Sequence, residues 1–308
     1  MRWIDYGQIF HAQEHGFSYS KSPQALVFDD YIRVYFTACK PDNGKLISYV
    51  CFADFDKDFE SIIKISDNVL SNGALGCYDE HGVFPFSPLK TSEKGIFGYI
   101  SGISRRISVS VDSGIGLAIS NDNGETFQRI GNGPVLTSSL HEPFLVIDGF
   151  VREYDGLYHM WYIFGSDWIK FTESEQPDRI YKIAHAVSKD GMTWVKDNAQ
   201  IIPDSLEYEA QALPTVIKWG GAYHMMFCFR YAYDFRTNSK RSYRLGYACS
   251  KDLFSWKRDD SSAFKPQRSW ASEMVCYPNL FECDGKLHLL YNGNQFGKYG
   301  FGLARLEK

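Results

Sequence analysis

A pattern that recurs about every 64 residues constrains the fold of this chain more than any other feature. Each copy starts at an anchor residue, continues through an apolar run and a turn, and enters an aromatic-rich strand about nine residues later. Successive anchors lie 62, 64, 65 and 64 residues apart, at Pro23, Pro85, Gly149, Pro214 and Pro278. Such a repeat indicates an array of equivalent units that bury their apolar faces against one another.

A second pattern, a strand that enters an Asp-containing turn and resumes at an aromatic residue, recurs late in the units. It reads GLAISNDNGETF at 116–127, AHAVSKDGMTW at 184–194 and GYACSKDLFSW at 246–256. Alternation on both arms with turn formers between them predicts a hairpin, so each unit supplies four short strands. The sequence therefore predicts an all-β fold, a five-bladed β-propeller with four-stranded antiparallel blades. A large β-sandwich with accidental periodicity is the alternative.

We expect one propeller domain that spans 1–308. The fifth unit ends after its third strand, and the RWIDYG segment near the N-terminus predicts an edge strand that completes it and closes the ring. Closure of this kind covers an otherwise open sheet edge. The blades are expected at approximately 20–70, 82–136, 142–202, 209–262 and 273–308.

Composition argues against several classes of protein. The net charge is −4, whereas non-specific nucleic-acid binders are usually strongly basic, so we expect no nucleic-acid partner. No segment approaches the ~20 apolar residues that span a bilayer, and no secretory signal pattern is visible. The seven cysteines include no Cys-x-x-Cys pair, which favours free thiols and a cytoplasmic location. We expect no cofactor and no catalytic metal, with a structural cation in the central channel as the remaining alternative.

Acidic residues precede the inner strand of four blades. Loops before the first strand and between the second and third strands of a blade share one face, so these acids should meet at one mouth of the channel. Carboxyl groups held close together titrate at separated pKa values, as glycosidic bond hydrolysis requires. The alternative is that they are solvated rim acids or acceptors for blade-entry amides. The same loops carry two histidines, and the whole set is Asp79, Glu80, His81, His141, Glu142, Asp148, Glu209 and Glu273.

The loops between the second and third strands supply basic, aromatic and amide side chains to the same face. Arginine binds carboxylate or phosphate through two parallel hydrogen bonds, and aromatic faces stack on sugar rings. These loops predict a polar ligand with an anionic group, with mutual salt bridging as the alternative. The candidate binding residues are Arg105, Arg106, Trp168, Arg230, Arg236, Arg244, Asn292 and Asn294.

The proline-anchored inner strands and Ser-x-Asp-Gly-x-x-Trp hairpins, of which SKDGMTW is one, resemble the five-bladed propeller glycosidases similar to glycoside hydrolase families 43, 32 and 130. The segments DEHGVFP, HEPFL and YNGNQFGKYGFG resemble a glycosidase-like branch associated with surface-polysaccharide biosynthesis. The resemblance covers 15–308 and implies a carbohydrate substrate. In the family 43 pattern an Asp precedes the first-blade proline, where this chain has Ser22. A second Asp matches Asp148, and the nearest match to the fourth-blade acid is Glu209.

The lead hypothesis is a glycoside hydrolase that acts on an acidic or phosphorylated glycan at the central cavity. Glu209 would be the general acid, Asp79 or Glu80 the base or nucleophile, and Asp148 would tune their pKa values or position. The residues that would hold the substrate are the arginines above together with Trp168, Asn292, Asn294, Glu142, Glu273, His81 and His141. Two alternatives remain, a non-catalytic glycan-binding propeller in polysaccharide assembly and a scaffold for protein partners.

Overall fold

The structure is a computed structural model that describes residues 1–92, 94–172 and 176–307. The described residues form β-strands joined by turns and five short 3-10 segments, Ala12–His15, Ser239–Arg241, Asp260–Ser262, Ser269–Ala271 and Asn294–Gly297. The strands are β1 (Trp3–His11), β2 (Lys21–Val27), β3 (Ile32–Asp42), β4 (Lys45–Phe55), β5 (Ile62–Leu70), β6 (Val83–Lys90), β7 (Ile96–Arg105), β8 (Val111–Ser120), β9 (Gln128–Arg129), β10 (Val146–Tyr154), β11 (Leu157–Ile169), β12 (Asp178–Ser188), β13 (Val195–Lys196), β14 (Glu209–Trp219), β15 (Ala222–Tyr231), β16 (Arg244–Ser250), β17 (Trp256–Arg258), β18 (Cys276–Cys283), β19 (Lys286–Asn292) and β20 (Gly300–Leu306).

These strands form five separate four-stranded antiparallel sheets, which confirms the predicted five-bladed propeller. Blades 1 to 4 take their strands in chain order, β2–β5, β6–β9, β10–β13 and β14–β17. The inner strands β2, β6, β10, β14 and β18 each contact the next around a common axis. Among the described residues, no helix has the length and apolar character that crossing a membrane would require.

The N-terminal strand closes the ring, as predicted. Blade 5 has the order β1–β20–β19–β18, and β1 pairs antiparallel with β20 from Trp3 opposite Leu306 to His11 opposite Gly300. Phe10 of β1 stacks on Phe301 with ring centroids 4.8 Å apart and lies 5.1 Å from the ring of Phe36 in blade 1. Because these rings are buried, the closing strand is held by apolar contacts with two blades as well as by backbone pairing.

The repeated Ser-x-Asp sequence forms the turn between the third and fourth strands. The Asp190 carboxylate accepts the backbone N–H groups of Met192 and Thr193 at 2.8 and 2.7 Å, and Ser188 Oγ donates to it at 2.9 Å. Hydrogen bonds from the Thr193 and Met192 amides are the main reason that the pKa of Asp190 falls to about 2. A side chain that satisfies turn amides explains why this triplet recurs in the sequence.

Every inner strand is interrupted at its anchor by a bulge, where it advances three residues while its neighbour advances two. The residue before the anchor has a left-handed φ in four blades, 50° at Ser22, 63° at Asp148, 48° at Leu213 and 57° at Tyr277, and the Phe84–Pro85 bond is cis. A bulge redirects a side chain away from the alternation of the strand. We call Ser22, Phe84, Asp148, Leu213 and Tyr277 the axial positions.

Candidate functional site

Four of the axial positions surround a cavity on the axis. The cavity has a volume of about 120 Å³, and its walls also include aliphatic side chains and two tyrosines. Asp148 is the only carboxylate among the five axial positions, since the others are Ser22, Phe84, Leu213 and Tyr277. Within the part of the chain that the structure describes, the axial positions therefore present one acidic group rather than a pair.

Asp148 is almost fully enclosed, with 4% of its surface exposed. Its Oδ2 accepts the backbone N–H of Leu213 at 3.0 Å, and its own N–H donates to Ser101 Oγ at 3.1 Å. Burial raises the pKa of the Asp148 carboxyl to about 7, opposed by the Leu213 hydrogen bond and by Arg179. A carboxyl group with this pKa can both give and take a proton near neutral pH.

Three arginines border a second cavity, of about 280 Å³, beside the axial one. This cavity is lined by Arg179, Arg230 and Arg236 together with Trp168, Phe235 and one acid, Asp178, and Arg179 also borders the axial cavity. No carboxylate among the described residues forms an ion pair with any of the three arginines. Desolvation, and then repulsion from the other two arginines, lowers the pKa of Arg236. We name these three residues the arginine cluster.

Arg230 is the most enclosed member of the arginine cluster, with 1% exposed. Its Nη1 donates to the carbonyls of Tyr231 and Ala232 at 2.8 and 3.1 Å, and its Nη2 donates to Tyr181 Oη at 2.8 Å. Its Nε is buried with no partner among the described residues, and its guanidinium lies 3.5 Å from the Phe235 ring centroid. A buried cation that has no carboxylate partner among the described residues is costly, which is characteristic of a site that receives an anionic ligand.

Three of the predicted acids are held in ion pairs within their own blades. Each is fully buried in the segment that enters a blade, and its partner lies on the outer strand of the same blade. Asp79 Oδ2 accepts Arg129 Nε at 2.8 Å, and Glu209 Oε1 accepts Arg258 Nη1 at 2.6 Å. The pairs are Asp79–Arg129, Glu142–Lys196 and Glu209–Arg258. None of these acids or bases lines the axial cavity.

Other predicted residues lie on blade 2 and around the rim. Glu80 and His81 are neighbours, with Oε1 and Nδ1 3.2 Å apart. Arg105 bonds to Asp42 at 3.2 Å, and Arg106 pairs with Asp112. His141 is exposed. None of these side chains contributes to the axial cavity or to the arginine cluster.

Of the remaining predicted residues, two asparagines bind backbone groups and two charged residues border a more distant cavity. Asn292 Oδ1 accepts the Ser22 N–H at 2.8 Å, which ties blade 5 to blade 1. Asn294 Oδ1 accepts the N–H groups of Glu273 and Met274 at 3.0 Å. Arg244 and Glu273 border a cavity between blades 4 and 5. Of the sequence-predicted set, the structure therefore brings together Asp148, Trp168, Arg230 and Arg236.

Three residues of the site were not among the sequence candidates. Arg179 is the second residue of β12, the third strand of blade 3. The available signal was its position at the end of the segment between the second and third strands that also supplied Trp168. Tyr181 and Tyr243 share a 2.6 Å hydrogen bond between their hydroxyls and line the axial cavity. Neither tyrosine was among the candidate binding residues, although Tyr243 lies in the loop that supplied Arg230, Arg236 and Arg244. Among the described residues, no group of three His, Cys, Asp or Glu side chains is arranged to hold a metal ion.

Comparison with solved structures places the fold in the class of five-bladed propellers that includes glycoside hydrolases. A structure described as a glycoside hydrolase superposes with a TM-score of 0.76 at 16% identity, covering 99% of this chain and 91% of the other. A thermostable family-43 glycoside hydrolase gives 0.68 at 16% identity, covering 95% and 91%. The Bombyx mori family-32 β-fructofuranosidase BmSUC1 gives 0.60 at 13% identity, covering 96% and 63%.

No family model matches the sequence. Two curated proteins of Mycobacterium tuberculosis, Uncharacterized protein MT1551 of strain CDC 1551 / Oshkosh and Uncharacterized protein Rv1502 of strain ATCC 25618 / H37Rv, are each 31% identical over 316 residues, with all of both chains covered. The chain belongs to the same family as these two proteins.

Proposed function

We propose that this protein is a carbohydrate-active propeller that binds an anionic glycan at the axial cavity and the arginine cluster. The observation that carries the proposal is the position of three arginines, without carboxylate partners among the described residues, beside a buried carboxyl group with a pKa near neutrality. The glycoside hydrolases among the structural neighbours support a sugar as the ligand.

The two cavities together suit one sugar with an acidic substituent. The axial cavity, at about 120 Å³, is smaller than the ~300 Å³ at which ligand pockets begin, and the adjoining 280 Å³ brings the space into that range. Arginine guanidinium groups match the oxygen geometry of a carboxylate or phosphate. Trp168 supplies an aromatic face against which the ring of the sugar can pack. Phe235 is buried under the guanidinium groups of Arg230 and Arg236, which it holds in place.

Asp148 takes the role of proton donor in this proposal. With a pKa of about 7 it is largely protonated in mildly acidic solution, and it can protonate the oxygen of the departing sugar. The sequence assigned that role to Glu209, but Glu209 is bound by Arg258 and does not line the cavity. The sequence assigned the role of base or nucleophile to Asp79 or Glu80. Asp79 is bound by Arg129, as Glu209 is by Arg258, and it does not line the cavity either.

Glycan binding without cleavage is the second candidate function. Both hydrolytic mechanisms that use carboxylates need two of them on either side of the bond, and the axial positions supply only Asp148. Turnover and binding therefore have to be measured separately.

We expect Asp148→Asn to lower turnover of a uronic acid oligosaccharide about a hundredfold while binding is retained, because the amide keeps an acceptor for the Leu213 N–H but cannot donate an acidic proton. Product release from hexagalacturonate and hexamannuronate, followed by chromatography, measures it. Wild-type protein that binds these sugars and releases no product would favour the binding function. Unchanged turnover in the variant would contradict the role of Asp148.

Arg236→Ala should weaken binding of galacturonate or glucose 6-phosphate about tenfold, since a charge-assisted hydrogen bond contributes about 1.5–3 kcal/mol. Calorimetric titration checks this, with neutral glucose as the ligand control and Arg2→Ala, an exposed residue of the first strand region, as the matched variant. Equal affinity of Arg236→Ala and wild-type protein for both anionic sugars would count against the arginine cluster as the anion site.

A further inference from the structure

The cavities of the site continue outward across one face of the propeller. The arginine-cluster cavity shares Phe235 and Arg236 with a cavity of about 390 Å³. That cavity shares Ser242 and Met274 with another of about 600 Å³, which lies between blades 4 and 5. Adjoining walls of this kind define a radial path from the axis to the edge of the disc.

Positive charge dominates the outer end of this path. Lys240, Arg244 and Lys265 border the 600 Å³ cavity, and none of the three forms an ion pair with a described residue. Asp260 also borders it, but its carboxylate is bound by Arg258 at 2.9 Å. Glu273 is the acid that remains there without such a partner among the described residues. Three cations against one uncompensated acid attract an anion.

The middle of the path is aromatic. Phe235, Tyr243 and Phe296 pack edge-to-face with ring centroids 6.1–6.3 Å apart. Phe235 and Phe296 line the 390 Å³ cavity, and Tyr243 borders both the axial cavity and the outer one. Phe235 and Tyr243 are buried, so Phe296 is the ring of the three that is partly exposed to a ligand. An aromatic surface between two cationic ends fits a ligand with apolar ring faces and acidic groups spaced along its length.

We infer that the ligand is an oligosaccharide with repeated anionic groups, which runs from the arginine cluster over Ser242 to the cavity at Lys240, Arg244 and Lys265. This inference rests on the proposed function, because it takes the arginine cluster as the first anion site. Contacts at both ends of one chain act at high effective concentration, so affinity should rise with the length of the chain. A single sugar occupies only the inner end.

The test compares ligand lengths in a charge variant of the outer cavity. Galacturonate and hexagalacturonate are titrated calorimetrically at low salt, and mannuronate and hexamannuronate form a second series. We expect wild-type protein to bind a hexamer at least tenfold more tightly than its monomer. In Lys240→Ala/Lys265→Ala that ratio should fall about fivefold, since two exposed cations that contact the far end of the hexamer are removed.

The matched control is Lys189→Ala/Lys251→Ala, which removes the same charge from exposed residues in the turns before the outer strands of blades 3 and 4. Loops at that end of the strands lie on the opposite face, so the length ratio should stay at the wild-type value. Equal affinity for monomer and hexamer, or a ratio that survives Lys240→Ala/Lys265→Ala, overturns the extended path and leaves the proposed function standing. Failure of every monomer and hexamer to bind contradicts the proposed function itself, and the extended path with it.

Discussion

Replacing Glu209 with alanine should lower the free energy of unfolding by about 3 kcal/mol, because it removes the fully buried partner of Arg258 and leaves that guanidinium with only Asp260 as a counter-charge. The Arg258 side chain is only 7% exposed, and the Glu209 carboxylate also accepts the N–H groups of Ser205 and Leu206 at 2.9 and 3.1 Å. Denaturant unfolding measures the change. A double-mutant cycle with Arg258→Met should show coupling, because either single replacement already removes the Glu209–Arg258 ion pair.

The matched control for Glu209 is Glu273→Ala. Both acids lie five residues before their anchors, but Glu273 is exposed, so its replacement should change the free energy of unfolding by no more than about 0.5 kcal/mol. If Glu209→Ala kept wild-type stability and lost turnover, Glu209 would have the catalytic role that the sequence assigned to it.

Asp148→Asn should make the protein more stable than the wild type at pH 8, by up to about 4 kcal/mol, the equivalent of moving the carboxyl pKa from 3.8 to about 7. The folded state binds this proton more tightly than the unfolded chain. The stability that the protonated Asp148 contributes is therefore complete below about pH 4 and is lost as the pH rises through 7. The amide has no charge to desolvate and shows no such loss.

Unfolding of both proteins between pH 4 and pH 9 provides the measurement for Asp148→Asn. Asp167→Asn is the control, because that carboxylate is exposed on β11 and its replacement should follow the wild-type pH profile. A constant difference between Asp148→Asn and wild-type protein across this range would contradict the raised pKa. If Asp148→Asn lost turnover and gained stability, Asp148 would be a functional group that the protein retains at a cost to its stability.

The repeat in the sequence was sufficient to predict the propeller and its closure. Anchors spaced 62–65 residues apart fix the number of blades, and the Ser-x-Asp turns mark where outer strands begin. RWIDYG had the pattern of an edge strand, and β1 occupies that position against β20. Local patterns carry this information because blade geometry depends on alternation and on turn residues.

The site was harder to predict, because distance along the chain is a poor measure of distance to the axis. Glu209 lies only five residues before Pro214, yet the bulge at Leu213 and Pro214 presents Leu213 to the cavity instead. The partners that neutralise Asp79 and Glu209 lie 50 and 49 residues away on the outer strands. Asp148 was recognised because it immediately precedes its anchor, and the residue in that position is the one that each blade presents to the axis.

The bulges at the anchors separate the scaffold from the chemistry. Each blade holds its axial residue by backbone geometry, so a serine, a phenylalanine, an aspartate, a leucine and a tyrosine all occupy equivalent places. Exchanges among Ser22, Phe84, Asp148, Leu213 and Tyr277 would alter the groups that face a ligand while the surrounding sheets keep their pairing. Relatives with the same propeller can therefore differ in reaction or ligand through substitutions at these five positions alone. A carboxylate can replace the axial residue of another blade while the strand pairing of that blade is kept.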